Sequence, residues 1–267
     1  MSMNETRLKR LWSTKTKNDE WWSSFVTSPL AIAVNLIVVD YKWLTPNRVT
    51  LLSFFTAIVA AVFIVISGPM NFIIAAALIQ ISHILDCVDG QMARYRGTTT
   101  GLGSYLDKLT DQIKVILWFG VVGYVTYDQT QNVLPVFLAF IGVSFYSLRG
   151  YVKYVVMYTE MLKDKDYLDV MGKDISDAEM ATQGNAGLGC GVLANVRWFI
   201  FEQRKIIFFN EGVFIFMLSL ALILNMLMEM LWIFAISQVI FGIGRGIQRG
   251  RQLCLNKRYQ ILSVSEK

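Results

Sequence analysis

The sequence predicts an all-α, polytopic membrane protein: six transmembrane helices, preceded by an N-terminal juxtamembrane helix that lies at the interface. Three observations predict it. Of the 267 residues 54% are hydrophobic and 17% charged, whereas soluble domains carry about 45–50% apolar residues and about 25% charge. The apolar residues collect into runs long enough to cross a bilayer, for which roughly 20 residues are needed. The basic residues alternate between the connections rather than spreading evenly. This composition excludes a disordered chain, a collagen-like chain and a small disulfide scaffold. Cys87, Cys190 and Cys254 are too far apart to suggest a disulfide framework or a zinc site.

In chain order, residues 29–39 form an apolar run of only about 11 residues before Asp40 and Lys42, too short to span and suited to an interfacial helix. The spans follow at 49–68 and at 71–85 with its polar continuation. The third is a segment from about Gly101 whose apolar half is 115–125. The last three are 134–158, 206–226 and 229–244. Trp12, Trp21 and Trp22 suit an interfacial aromatic belt.

The connections orient these spans. Ser67-Gly-Pro-Met-Asn71, Tyr127-Asp-Gln-Thr-Gln-Asn132 and Asn225-Met-Leu-Met-Glu229 contain no Lys or Arg. The alternate side carries Arg7, Lys9, Arg10, Lys15, Lys17, Arg94, Arg96, Lys163, Lys165, Lys173, Arg197, Arg204 and Lys205, then Arg245, Arg249, Arg251, Lys257 and Arg258. The positive-inside rule therefore puts both termini and the basic loops in the cytoplasm, in the cell membrane if the source is prokaryotic. The expected organisation is a cytoplasmic N-terminus with its juxtamembrane helix (1–46), a six-helix membrane domain (47–250) with a long cytoplasmic loop (160–205), and a cytoplasmic tail (251–267). The first 20 residues are polar and basic, without the apolar stretch of a secretory signal.

Four aspartates are the exception to the apolar pattern. Asp86 and Asp89 end the second span and Asp107 and Asp111 lie in the third, beside Arg94, Lys108 and Lys114. A charge inside a membrane helix costs about 2.5–3.5 kcal/mol on insertion scales, so the cluster needs a reason. One reading is that the carboxylates snorkel or pair with the neighbouring basic residues. Their spacing favours another. The first pair is i, i+3 and the second i, i+4, so each shares one helix face. The short turn Arg96-Gly-Thr-Thr-Thr-Gly101 makes the two helices antiparallel neighbours. Gly90, Ala93, Gly103 and Ser104 remove bulk beside the carboxylates. Converging carboxylate oxygens suit Mg²⁺, Mn²⁺ or Ca²⁺ rather than zinc.

Asp86-Cys-Val-Asp89-Gly90-Gln-Met-Ala93-Arg94, eight residues, Gly103, three residues, Asp107, three residues and Asp111 fill every fixed position of DxxDGxxARx8GxxxDxxxD. The chain thereby resembles the CDP-alcohol phosphatidyltransferase family. Six spans, a juxtamembrane helix and Thr45-Pro-Asn-Arg-Val-Thr50 before the first span extend the resemblance. It implies a phosphotransferase that cleaves the pyrophosphate of a CDP-alcohol, passes the phosphoryl-alcohol unit to an acceptor hydroxyl and releases CMP, in phospholipid biosynthesis. By the same resemblance Asp86, Asp89, Asp107 and Asp111 are metal ligands for two ions of Mg²⁺ or Mn²⁺, and Asp111 is also the general base. Gly90, Ala93, Arg94 and Gly103 belong to the CDP site.

Two substrate arrangements follow from the resemblance: CDP-diacylglycerol with a small polar acceptor, or a CDP-linked polar headgroup with a lipid or polyol acceptor. Gln91 is reminiscent of the headgroup-donor members. A phosphorylated acceptor would want a basic pocket, for which Arg149, Lys153 and Arg204 are the candidates, although positive-inside anchoring also explains them. The expected partners are donor, acceptor and membrane lipid, with no nucleic acid. Homodimers are common in the family, but no residue pattern here establishes one. His83 and Cys87 sit inside or beside the motif at variable positions and read as packing residues. A reading from another class, a cation transporter with a carboxylate ion site, would want the carboxylates near mid-membrane rather than at helix ends.

Overall fold

The computed structural model describes residues 3–15, 22–163 and 211–255, together with 192, 193, 196 and 200. Among them there is no strand, and eight α-helices account for the architecture. They are α1 (Met3–Ser13), α2 (Ser28–Val38, entered through a π-helical turn Ser23–Thr27), α3 (Pro46–Ile66), α4 (Pro69–Arg96), α5 (Gly101–Thr130), α6 (Leu134–Lys163), α7 (Glu211–Leu224) and α8 (Leu227–Leu255).

Local chemistry sets the boundaries. Thr45 is extended and its hydroxyl accepts from the Arg48 amide, while Pro46 takes the first helical position, where its missing N–H costs nothing. Ser67 and Gly68, at φ 62° and 96°, turn the chain between α3 and Pro69. Gly97 ends α4 in the left-handed conformation (φ 63°), with the Thr98 amide reaching back to the Ala93 carbonyl. That is the glycine C-cap expected of a helix stopped sharply. Thr100 then caps α5 by accepting from the Gly103 amide at 3.1 Å.

Helices α3, α4, α6 and α8 are long and apolar enough to cross a membrane. Helix α5 is also long, at 30 residues, but its first half carries the charged residues of the motif. The apolar helix α7 covers 14 described residues, and the start expected for that span, 206–210, lies outside the described residues. The expected short interfacial helix is present as α2, within one residue of each expected end. Of the expected loop 160–205 and tail 251–267, most lies outside the described residues, but helix α8 runs on into the tail as far as Leu255.

Two apolar clusters hold the helices. The larger gathers Trp118 and Phe119 of α5, Phe214 of α7 and Phe234 of α8, with Phe119 and Phe234 stacked at 3.5 Å between centroids. Side-chain loss permits the closest approach: a Cβ on Gly123 would come within 2.8 Å of the Ala139 methyl, so α5 and α6 meet at a glycine. The smaller cluster joins Leu11 of α1 and Ala31 and Ile32 of α2 to Val49 of α3 and Val88 and Met92 of α4. Trp22 is half-buried. It lies against Phe216 at 4.5 Å and donates to Gln80, because an amide in the apolar part of α4 needs partners and finds them in Trp22 and Ser219. Trp12 is half-buried against the smaller cluster, and Trp21 lies outside the described residues.

The last turn of α4 grips the N-terminal segment. The Arg94 Nε donates to the Thr14 carbonyl at the end of α1 (2.7 Å), and Arg10 lies over the Tyr95 ring. Arg96 spreads its guanidinium over the carbonyls of Val39, Tyr41 and Leu44 at 2.7–3.1 Å. The final carbonyls of a helix have no intrahelical donor, so a cation is the natural partner for each of these ends.

Candidate active site

The C-terminal turns of α4 and the N-terminal turns of α5 face one another across a half-open cavity of about 370 Å³, which the start of α3 and the π turn leading into α2 also line. All eight fixed residues of the motif line it: Asp86, Asp89, Gly90, Ala93 and Arg94 from α4, and Gly103, Asp107 and Asp111 from α5. Two helix faces that were separate in the sequence are thus one wall and its opposite.

Within the cavity three carboxylates converge. Asp86, Asp107 and Asp111 each offer an oxygen, and these oxygens lie within 4.8 Å of one another. The group contains neither histidine nor cysteine. Such an all-oxygen, anionic donor set fits a hard divalent cation and would serve a soft one badly. Asp89 stands apart from the trio, buried, with its Oδ2 accepting from the Thr50 hydroxyl at 2.5 Å. Two ammonium groups temper the charge. Lys114, only 4% exposed, sits 2.5 Å from Asp86 and 3.5 Å from Asp111, and Lys108 is 2.9 Å from Asp107. The pairing expected of the lysines is therefore present, and it accompanies the convergence of carboxylates instead of replacing it.

The non-acidic motif residues leave room. Arg94 lays its terminal nitrogens beside Gly90, where an added Cβ would come to 3.3 Å from Nη1. A Cβ on Gly103 would meet the side chains of Thr100 and Asn47 at 3.2 and 3.3 Å. Either glycine is thus a place where backbone stands in for a side chain at the cavity wall.

Other candidates fall elsewhere. Arg149 donates to Gln238 at 2.7 Å and is not among the lining residues; nor is the exposed Lys153, and Arg204 lies outside the described residues. His83 and Cys87 touch the cavity but are turned to the π segment, His83 toward the Ser23 hydroxyl (3.3 Å) and Cys87 toward that of Thr27. Gln91 has its amide committed to holding α2: it donates to the Ser28 carbonyl and accepts from Asn35. Replacing it with leucine strands those buried groups, so Gln91→Leu is expected to cost about 1–3 kcal/mol in stability, measurable as a lowered unfolding temperature in detergent. Thr50 and Asn47 carry no motif letter, and their place in the cavity was signalled only by the Thr45–Thr50 stretch that leads the first span.

Similarity to known proteins falls on these same residues. The family model for CDP-alcohol phosphatidyltransferase matches residues 43–183, which include all of the cavity-lining helix ends of α3, α4 and α5. The chain belongs to the CDP-alcohol phosphatidyltransferase family. Members of that family use CDP-alcohol donors and hydroxyl acceptors. Two relatives are similar over part of the chain. One is the "Bifunctional IPC transferase and DIPP synthase" of Thermococcus kodakarensis, 28% identical over 130 residues, which are 49% of this chain and 29% of that protein. The other is an uncharacterized protein of Aquifex aeolicus, 32% identical over 111 residues, 40% of this chain and 55% of that one. The chain thus spans about a third to about half of the curated relatives it matches. In this family member the cavity is the only feature among the described residues that assembles the whole motif.

Proposed function

We propose that the protein catalyses metal-dependent transfer of a phosphoryl-alcohol group from a CDP-alcohol such as CDP-diacylglycerol to an acceptor hydroxyl, with release of CMP, at the cytoplasmic face of the membrane. The observation that carries this reading is the convergence of all eight motif residues on one cavity with three carboxylate oxygens inside 4.8 Å.

In this reading Asp86, Asp89, Asp107 and Asp111 hold Mg²⁺ or Mn²⁺. Bound there, two divalent ions neutralise the diphosphate and stabilise the charge that develops on departing CMP. The chain supplies the rest. Arg94 presents its terminal N–H groups to phosphate oxygens, a forked geometry that an ammonium does not offer. Gly90, Ala93 and Gly103 let the nucleotide lie close to backbone. Asp111 takes the proton of the acceptor hydroxyl as its oxygen bonds to the phosphorus bearing the alcohol. The bond from that phosphorus to CMP breaks, and the electron pair leaves with CMP. Lys108 and Lys114 hold the carboxylates together before the ions arrive, and the Thr50 hydroxyl fixes one oxygen of Asp89. The carboxylates lie toward the ends of α4 and α5 that carry the basic connections, which supports phosphoryl transfer over a mid-membrane ion path.

The test is CMP release by the purified protein in detergent or bilayer, with CDP-diacylglycerol or CDP-headgroup donors, a panel of acceptors, and Mg²⁺ or Mn²⁺. One donor class is expected to give CMP, and a chelator to stop it. No CMP from either class would end the enzyme reading, while the productive class chooses between the two donor arrangements.

A further inference from the structure

Helix α1 contributes no residue to the cavity wall, yet it is fastened to one that does. Its Leu11 is fully buried in the cluster with Val88 and Met92 of α4, and Arg10 lies 4.6 Å from the Tyr95 ring centroid. Arg7 pairs with Asp40 at 2.8 Å beyond the end of α2. These contacts fix where α1 ends. Thr14 closes the helix with its amide and hydroxyl both directed to the Leu11 carbonyl, and its own carbonyl is among the last of α1, which lack an intrahelical donor among the described residues. Arg94 Nε fills it.

We propose that α1 is the positioning element for Arg94: the Thr14 carbonyl, held by the docked helix, clamps the guanidinium at Nε and leaves the two terminal nitrogens aimed at the phosphate side of the cavity. Three facts support the assignment. The bond uses Nε, the one guanidinium nitrogen that an end-on fork through Nη1 and Nη2 does not need. The acceptor is the negative end of a helix, so it favours the charged group as well as the geometry. Gly90 permits the clamped orientation, since a Cβ there would press on Nη1 and Nη2 at 3.3 and 3.5 Å. A long side chain that is already ordered loses less freedom when it meets its ligand, so docking of α1 raises nucleotide affinity without touching the nucleotide. The inference rests on the reading that Arg94 binds the CDP moiety.

A double-mutant cycle tests it, with CMP as the probe and Mn²⁺ present, read by calorimetry on the full-length protein in detergent. Leu11→Asp undocks α1, and a chain lacking residues 1–15 removes the carbonyl outright; thermal melts without CMP report whether each variant folds. In the Arg94 background either change is expected to raise the CMP dissociation constant roughly tenfold, the scale of one charge-assisted hydrogen bond. In an Arg94→Ala background neither change is expected to raise it further. An equal loss in both backgrounds would mean that α1 acts on the fold at large, and overturns the proposal. So would tighter CMP binding without α1, which would make the Thr14 contact a restraint. If Arg94→Ala weakens CMP but undocking α1 does not, only the positioning falls and the nucleotide role of Arg94 stands. If Arg94→Ala binds CMP as well as the unaltered protein does, the nucleotide role itself is refuted and the proposal with it.

Discussion

Asp111→Asn is expected to lower the rate of CMP release by about 10²–10⁴-fold, the usual contribution of a positioned general base. The side chain is 13% exposed and lies on the α5 face that Asp107 shares, within reach of Asp86 across the cavity. Asparagine keeps its size and its place between Lys108 and Lys114 but cannot accept a proton. Loss of rate alone would not separate a base from a ligand, so Mn²⁺ binding is measured on the same variant by electron paramagnetic resonance. Dead protein that still binds Mn²⁺ makes Asp111 chiefly the base. Dead protein with weakened Mn²⁺ makes it chiefly a ligand. Retained turnover would remove it as base. Asp107→Asn serves as the comparison: its expected loss of turnover goes with a loss of metal, because it belongs to the same trio of oxygens and has no proton-transfer role in the proposal.

Arg96→Ala is expected to produce the largest loss of stability, on the order of 3 kcal/mol. Its guanidinium serves carbonyls at Val39, Tyr41 and Leu44, and alanine would remove these donors, leaving the Tyr41 carbonyl only the Leu44 amide. A stranded acceptor costs about 1–3 kcal/mol where water cannot replace the donor, and partial exposure here keeps the sum well below three full penalties. Arg96→Lys should recover only a fraction, because an ammonium cannot span three carbonyls with a planar fork. The measurements are unfolding temperature in detergent and CMP release at a temperature where both variants are folded. Arg96 does not line the cavity, so turnover per folded molecule should be unchanged. A variant as stable as the parent would show that the N-terminal turn is held by the Leu11 cluster alone.

The contrast between Asp111 and Arg96 also shows which features a sequence exposes. The aspartates were legible because their chemistry is written in their own identities: carboxylates at i, i+3 and i, i+4 in an apolar chain are costly unless they bind something. The long apolar helices and the short α2 were legible from run lengths, whereas α1 was not, because Met3–Ser13 carries no apolar run. Arg94 was legible as a motif residue, but its bond to Thr14 was not, and neither was the grip of Arg96. Both arginines bind backbone carbonyls 80 and 52–57 residues upstream, and a carbonyl belongs to every residue alike. No letter marks it. Gln91 was legible only as a letter: its burial at 1% exposure and the work of its amide between α4 and α2 appear only in the folded chain. The contact of Trp22 with Gln80 answers an amide that needs a partner, which only the folded arrangement reveals.

The glycine turn at Gly97 sets the carboxylates at a common height. Asp86 lies ten residues before the end of α4, and Asp111 ten residues after the start of α5. At about 1.5 Å per residue, two antiparallel helices joined by so short a turn bring those carboxylates level, and Asp89 and Asp107 nearly so. The eight-residue gap of the motif is in effect a measured length. Both helices are also longer than the roughly 20 residues that a bilayer requires, at 28 and 30. Counted from the far ends of α4 and α5, that length runs out near Val88 on the one helix and near Asp111 on the other. By that count Asp89, Gly90, Ala93 and Arg94 on α4 and Gly103 and Asp107 on α5 fall in the surplus turns, while Asp86 and Asp111 sit at their margin. Under the proposed topology, a donor anchored by its acyl chains would bring its diphosphate to that margin, where the two carboxylate pairs face each other.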